Sequence, residues 1–269
     1  MVRLALDAGH GLNTPGKRCL KSLDKNETRE WVLNSRIANY VQESLGDYEG
    51  IEVLRLDDTT GRVDVLLKTR TDKANSFNAD ILISIHHNAG INGGNGGGVV
   101  VYRYPSSLSK TKDYQKKLYD KVIKHNKLKG NKTSPLATGN FHITRESKMP
   151  ALILENGFMD SKTDVPIILR DDHARKTASG IVEFLVEEFK LKKRPAKDDK
   201  LKDNQVYRVI CGSFKSRKNA EIILKSFGFQ KSEYPLEIED ITEDKSLLNE
   251  FSISDDFKES LNLYMEEKY

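Results

Sequence analysis

Five short apolar runs alternate along the first part of the chain with longer stretches in which apolar residues return every three or four positions. The runs, residues 2–6, 51–56, 81–85, 98–102 and 151–154, have strand length and are bounded by polar or glycine-bearing segments. The longer stretches predict helices over 30–45, 66–76, 107–125 and 173–190. The last of these carries Ala178, Ile181, Phe184, Leu185 and Phe189 at helical spacing. Strands alternating with helices predict an α/β fold, a mostly parallel sheet flanked by helices on both faces.

The pattern changes after residue 191. Residues 192–203 are charged, poor in apolar side chains and carry Pro195, which predicts a linker between a domain over 1–191 and a second over 204–269. In the second, Val206 to Phe214 reads as a strand. A helical pattern follows Ser216 (Ala220, Ile223, Leu224, Phe227), and the tail from Ser246 is expected to be mainly helical, giving a small α+β C-terminal domain.

Composition narrows the field. With 269 residues, 37% hydrophobic and 31% charged, the chain is globular in character. No apolar stretch approaches the ~20 residues that span a bilayer, so no membrane insertion is expected. The first residues lack the apolar core of a secretory signal, which predicts synthesis in the cytoplasm without an export peptide. Cys19 and Cys211 lie far apart and are expected to be free thiols. The net charge of +4 divides unevenly, as +8 over 1–203 and −4 over 204–269. The basic part suits an anionic polymer. Nucleic acid is not expected, because no basic stripe is interleaved with aromatics. The glycine-rich tract 92–98 lacks the Gly-Lys-Ser/Thr of a phosphate loop and is read as a flexible loop before a strand.

Three of the apolar runs end in polar clusters. Asp7-Ala8-Gly9-His10-Gly11 follows the first, Ser84-Ile85-His86-His87-Asn88 closes the third, and Glu155-Asn156-Gly157-Phe158 closes the fifth. Such endings put side chains at the carboxyl edge of a sheet, where α/β proteins build sites. Two imidazoles, His10 and His86, suit zinc. A third, oxygen ligand is assigned to Glu30 in the first turn of a helix, with Glu27 in the preceding loop as its competitor. His87 is expected to point away from His86 by strand alternation. A carboxylate at the end of a buried strand is costly without a purpose. Glu155 beside activated water has one, as general base and acid; the alternative is an ion pair with Arg145. Asp7 either orients a ligand imidazole or caps the turn. Arg70 is expected in a structural ion pair. Asn140, His142 and Arg145 are placed on a loop bordering the cleft, with Arg145 a candidate for substrate carboxylates. His125 and His173 are expected at the surface.

These motifs, in this order and spacing, resemble the zinc-dependent N-acetylmuramoyl-L-alanine amidases of the type-3 class. The resemblance runs from Met1 to Leu191. It is carried by Leu6 to Gly11, Glu30 before Ala38, Thr69-Arg70-Thr71 with Ala74-Asn75, Ala79-Asp80 through Ser84-Ile85-His86 to Asn88-Ala89, Asn140 to Arg145, and Met149 to Phe158. It implies a twisted, mostly parallel sheet, His10, Glu30 and His86 as zinc ligands and Glu155 as the catalytic carboxylate; Asn88, His142 and Arg145 are the expected substrate contacts. Ala8 stands where the family often has proline, and residues 12–23 lack the usual Asp-Pro-Gly-Ala. Residues 206–229 resemble the first half of a sporulation-related (SPOR) repeat, through Tyr207-Arg208-Val209, Gly212-Ser213-Phe214 and Asn219-Ala220. This implies a cell-wall-binding module, with self-association through the same domain as its alternative.

The expected protein is a peptidoglycan hydrolase that cleaves between N-acetylmuramic acid and L-alanine and reaches the wall after release from the cytoplasm. The expected setting is a phage endolysin. Alternatives are an autolysin freed at sporulation, a zinc carboxypeptidase trimming stem peptides, and a non-catalytic wall-binding protein.

Overall fold

A computed structural model of the chain describes residues 1–195. The SPOR-like strand and helices and Cys211 lie outside the described residues. In chain order the elements are β1 (Val2–Ala8), α1 (Glu30–Leu45), β2 (Tyr48–Glu49), β3 (Ile51–Arg55), α2 (Leu67–Ser76), β4 (Ile81–Asn88), β5 (Val99–Arg103), α3 (Ser109–Asn126), β6 (Leu136–Thr138), α4 (His142–Arg145), β7 (Ala151–Phe158), α5 (Val165–Ile168), α6 (Asp171–Phe189) and β8 (Lys192–Lys193). All five expected strands and all four expected long helices form.

Six strands make one sheet in the order β3-β1-β4-β7-β5-β6. The inner strands β1, β4 and β7 run parallel, Leu4 opposite Ile81 and Leu82 opposite Ala151. They are buried on both faces, which explains their near-continuous apolar sequences. Alternation sends Leu4 and Leu6 to a large core under α1, α3 and α6, and Ala5 to a smaller one with Ala74 of α2 and Ile143 of α4. β5 is antiparallel to β7, and β6 pairs parallel with β5. The sheet is therefore mixed but mostly parallel, with helices on both faces.

Two segments differ from their expected character. The glycine tract is hydrogen-bonded to the segment after β7: Asp160 Oδ2 accepts the backbone N–H of Asn92 (2.7 Å), along with those of Gly90 (2.8 Å) and Ile91 (2.8 Å) just before the tract. Gly98 N–H donates to Asp164 Oδ2 at 2.7 Å. Glycine is required at Gly98, where φ is +93° and a Cβ would lie 2.6 Å from Gly130 Cα. At the start of the expected linker, β8 pairs antiparallel with β2, and Arg194 N–H donates to the Asp47 carbonyl at 2.7 Å. Among the described residues no helix is long and apolar enough to cross a membrane. Cys19 is a buried free thiol that burial pushes up to about 12.

Candidate active site

Because β1, β4 and β7 are parallel, their carboxyl ends coincide, and the side chains read from the ends of three apolar runs meet there. His10 follows β1 in a left-handed backbone conformation (φ +67°) that turns the chain out of the sheet. His86 lies near the end of β4. A Cβ on Gly9 would sit 2.0 Å from the His86 ring, so the glycine leaves the space that ring occupies. Glu30 opens α1, a helix held against the sheet by Leu33, Ile37 and Val41.

Glu30 is 1% exposed and joins the two imidazoles. Its Oε1 lies 3.0 Å from His86 Nδ1 and accepts the His87 backbone N–H at 3.2 Å. Its Oε2 lies 3.4 Å from His10 Nε2 and is buried without a hydrogen-bond partner. One donor atom from each of His10, Glu30 and His86 lies within 4.8 Å of the others, a set able to hold a metal ion. Glu27 is elsewhere, 3.1 Å from Arg18.

Electrostatics act differently on the three donors. Burial, only partly offset by Glu30, lowers His10 to about 4, so its imidazole is neutral and free to coordinate. Burial works against the Glu30 anion, but hydrogen bonding and attraction from His86 outweigh it and bring Glu30 down to about 2. The same contact raises His86 against the pull of its own burial.

A polar layer supports the cluster from behind. Asn34, one turn after Glu30 on the buried stripe of α1, donates from Nδ2 to the Gly9 carbonyl at 3.1 Å. Its Oδ1 lies 2.8 Å from His87 Nδ1. His87 thus packs inward beside α1, away from the cluster, as alternation predicted. Asp7 neither orients an imidazole nor caps a turn. It forms a buried ion pair with Arg70 and accepts the Ser84 hydroxyl at 2.5 Å, so the Arg70 expectation holds. Arg70 also donates to the carbonyls of Ala8 (2.8 Å) and His10 (3.1 Å), bracing the turn. His173, expected at the surface, is 2% exposed, because it shares one stripe of α6 with Thr177 and Ile181. His125 is half-buried and pairs with Glu183, which also binds Lys121 and Lys124.

Glu155 stands opposite His86 across the β4–β7 ladder. It is half-buried, with Oε2 shut off from solvent and unpartnered. Burial, tempered by His86, raises it to about 7. No ion pair joins it to Arg145, which bonds Glu146 and Asn140 instead. Glu155, Glu30, His86, Asn88, Met159 and Lys17 are among the residues lining a cleft of about 300 Å³. Of the three expected substrate contacts, Asn88 lines this cleft. His142 contacts Thr71 at 3.3 Å, and neither it nor Arg145 lines the cleft. Sequence reasoning did not single out Lys17 or Asn34. Asn34 carried a signal, a polar residue amid the buried stripe of α1.

Fold and site together are those of a hydrolase of the amidase class. Residues 4–187 match the model of the N-acetylmuramoyl-L-alanine amidase family, and the chain belongs to that family. It is similar to the sporulation-specific N-acetylmuramoyl-L-alanine amidase of Bacillus subtilis (strain 168), 34% identical over 82% of this chain and 78% of that protein. It is also similar to the endolysin of Bacillus phage SPP1, 30% identical over 76% of this chain and 74% of that protein. Among solved structures, an N-acetylmuramoyl-L-alanine amidase from Clostridium difficile 630 superposes with a TM-score of 0.63 at 26% identity, covering 70% of this chain and 97% of that one. The enzyme class is thus N-acetylmuramoyl-L-alanine amidase, which sets aside the carboxypeptidase and non-catalytic alternatives.

Proposed function

We propose that the chain is a zinc-dependent lytic amidase that hydrolyses the bond between the lactyl group of N-acetylmuramic acid and L-alanine in peptidoglycan, in the setting of a phage endolysin. The observation that carries this is the convergence of one donor atom each from His10, Glu30 and His86 to within 4.8 Å of one another, with Glu155 opposite His86 on the next strand. Two imidazoles and one carboxylate are a donor set suited to a catalytic zinc that keeps one position open. Zinc there supplies Lewis acidity, acidifying water and polarising the scissile carbonyl.

Glu155 handles the proton. In the metal-free site burial strengthens its hold on a proton, and a carboxyl placed opposite His86 suits alternating roles as base and acid. It takes one from the water whose oxygen bonds to the lactyl carbonyl carbon. It delivers that proton to the L-alanine nitrogen as the C–N bond breaks, leaving a lactyl carboxylate and a free amine. Asn88 lines the same cleft and is the proposed substrate contact.

The C-terminal part is proposed to bind the wall and raise the local concentration of substrate. Its support is the reach of the sporulation-specific relative: that likeness covers 82% of this chain, more than residues 1–203 supply, so it extends into that part. The sporulation-specific relative supports a second setting, release from a sporulating cell. Mass spectrometry of digested walls tests the reaction. New L-alanine amino termini with muramoyl lactyl carboxylates are expected; intact lactyl amides after digestion overturn it. Lysis of growing cells exposed to the added enzyme separates the two settings, being expected of the endolysin and absent for an enzyme confined to spore-stage wall.

A further inference from the structure

Lys17 has no part in the proposed reaction, yet it is the one lysine or arginine among the residues lining the cleft. Its position is fixed by main-chain bonds. The Glu30 N–H donates to the Lys17 carbonyl at 3.0 Å, the Cys19 N–H donates to the Thr28 carbonyl at 2.9 Å, and Arg18 bridges antiparallel to Arg29. Residues 17–19 are therefore laced to residues 28–30, and Lys17 is tied to the start of α1. Its side chain is 44% exposed, and its Nζ lies 3.8 Å from Glu30 Oε2, its one ion-pair partner among the described residues. At that distance and exposure the pair is worth little.

A dication held by His10, Glu30 and His86 would compete with Lys17 for the Glu30 carboxylate. The cleft would then hold a dication and an ammonium against the carboxylates of Glu30 and Glu155, an excess of positive charge that attracts an anion. We propose that Lys17 is a specificity-determining residue that receives a carboxylate carried next to the scissile amide. This inference rests on the amidase reading above. Two sources offer that group. One is the free carboxylate of the second stem-peptide residue, in walls where it is not converted to a carboxamide. The other is the lactyl carboxylate that cleavage creates. A carboxamide or ester keeps an acceptor oxygen but loses the charge, so Lys17 discriminates by charge.

The test is calorimetric binding to the full-length, zinc-loaded Glu155→Gln protein, which is expected to bind without turnover. One arm compares N-acetylmuramoyl-L-alanyl-D-isoglutamate with its isoglutamine counterpart; the other compares N-acetylmuramic acid with its methyl ester. In at least one arm the carboxylate is expected to bind about 10-fold more tightly, the scale of a hydrogen bond to a charged group. That preference should collapse when Lys17→Met is added and persist with Lys17→Arg, with melting temperatures unchanged. The arm that responds names the source. No preference in either arm, or a preference that survives Lys17→Met, overturns the assignment. If preferences behave as expected but the native enzyme frees no L-alanine amino termini from walls, the amidase reaction fails, and with it the specificity role, leaving Lys17 as a carboxylate-binding residue only.

Discussion

His86 and Glu155 are direct cross-strand partners on β4 and β7, so one ladder rung sets a proposed metal ligand against the proposed proton carrier. Their relative position is fixed by backbone pairing of two buried strands, which suits chemistry that tolerates little misplacement. Replacing Glu155 with Gln keeps the shape and removes the proton-accepting oxygen. Hydrolysis is expected to fall by at least ~100-fold, in the range of a lost general base. Bound zinc, measured by atomic emission, should remain stoichiometric. Wall clearance at the native rate would show that the base lies elsewhere.

The same substitution has a pH signature in the metal-free protein. Glu155 sits at about 7 in the fold against an ordinary value of 4.5. The folded state therefore holds the proton more tightly than the unfolded one, and stability is lost as pH rises from about 4.5 to about 7. Glu155→Gln should be neutral at pH 4 and stabilising at pH 8 by roughly 1 to 2 kcal/mol, discounted for partial solvent access. Urea titrations of apoprotein at the two pH values check this; an equal effect at both removes burial as the cause.

Gly9→Ala should damage the centre without touching a ligand. The new Cβ would stand 2.0 Å from the His86 ring, and a buried strand end offers little room to give. Zinc affinity is expected to drop by ~10–100-fold, the scale seen when ligand orientation is disturbed. Competition with a chromophoric chelator reads this directly, and native affinity would mean that the ring relocates freely.

Arg70→Met is expected to be the most destabilising of these changes. It leaves Asp7 as a buried charge with only the Ser84 hydroxyl and removes two bonds to the carbonyls around His10. Breaking one side of a buried pair costs about 3–5 kcal/mol. Chemical denaturation of zinc-free protein measures it, and a loss under 1 kcal/mol would show that the Asp7–Arg70 pair adds little net stability.

The sheet was legible because β1, β4 and β7 are buried on both faces and must be apolar throughout, and the long helices because each shows one stripe. The ends of those same strands exposed His10, His86 and Glu155 to reading, since a polar residue closing an apolar run stands out. What stayed hidden depends on pairings between distant segments. The two-residue strands β2 and β8 carry no periodicity, and nothing in Val99–Arg103 announces that β5 runs antiparallel to β7. His173 was obscured by its charged neighbours Asp171, Asp172, Arg175 and Lys176, although its spacing to Thr177 and Ile181 marks the inward stripe. Lys17 reaches the centre through loop pairing with residues 28–30, which no local pattern records.

The bonds from Asp160 and Asp164 to residues 90–98 have a further consequence. Both aspartates follow β7, so the glycine tract is bonded to the segment leaving the strand that carries Glu155, while residues 17–19 are laced to the start of α1. The loops next to the centre are thus bonded to the elements that carry Glu155 and Glu30, so a substitution that releases either loop is expected to act on those two carboxylates first.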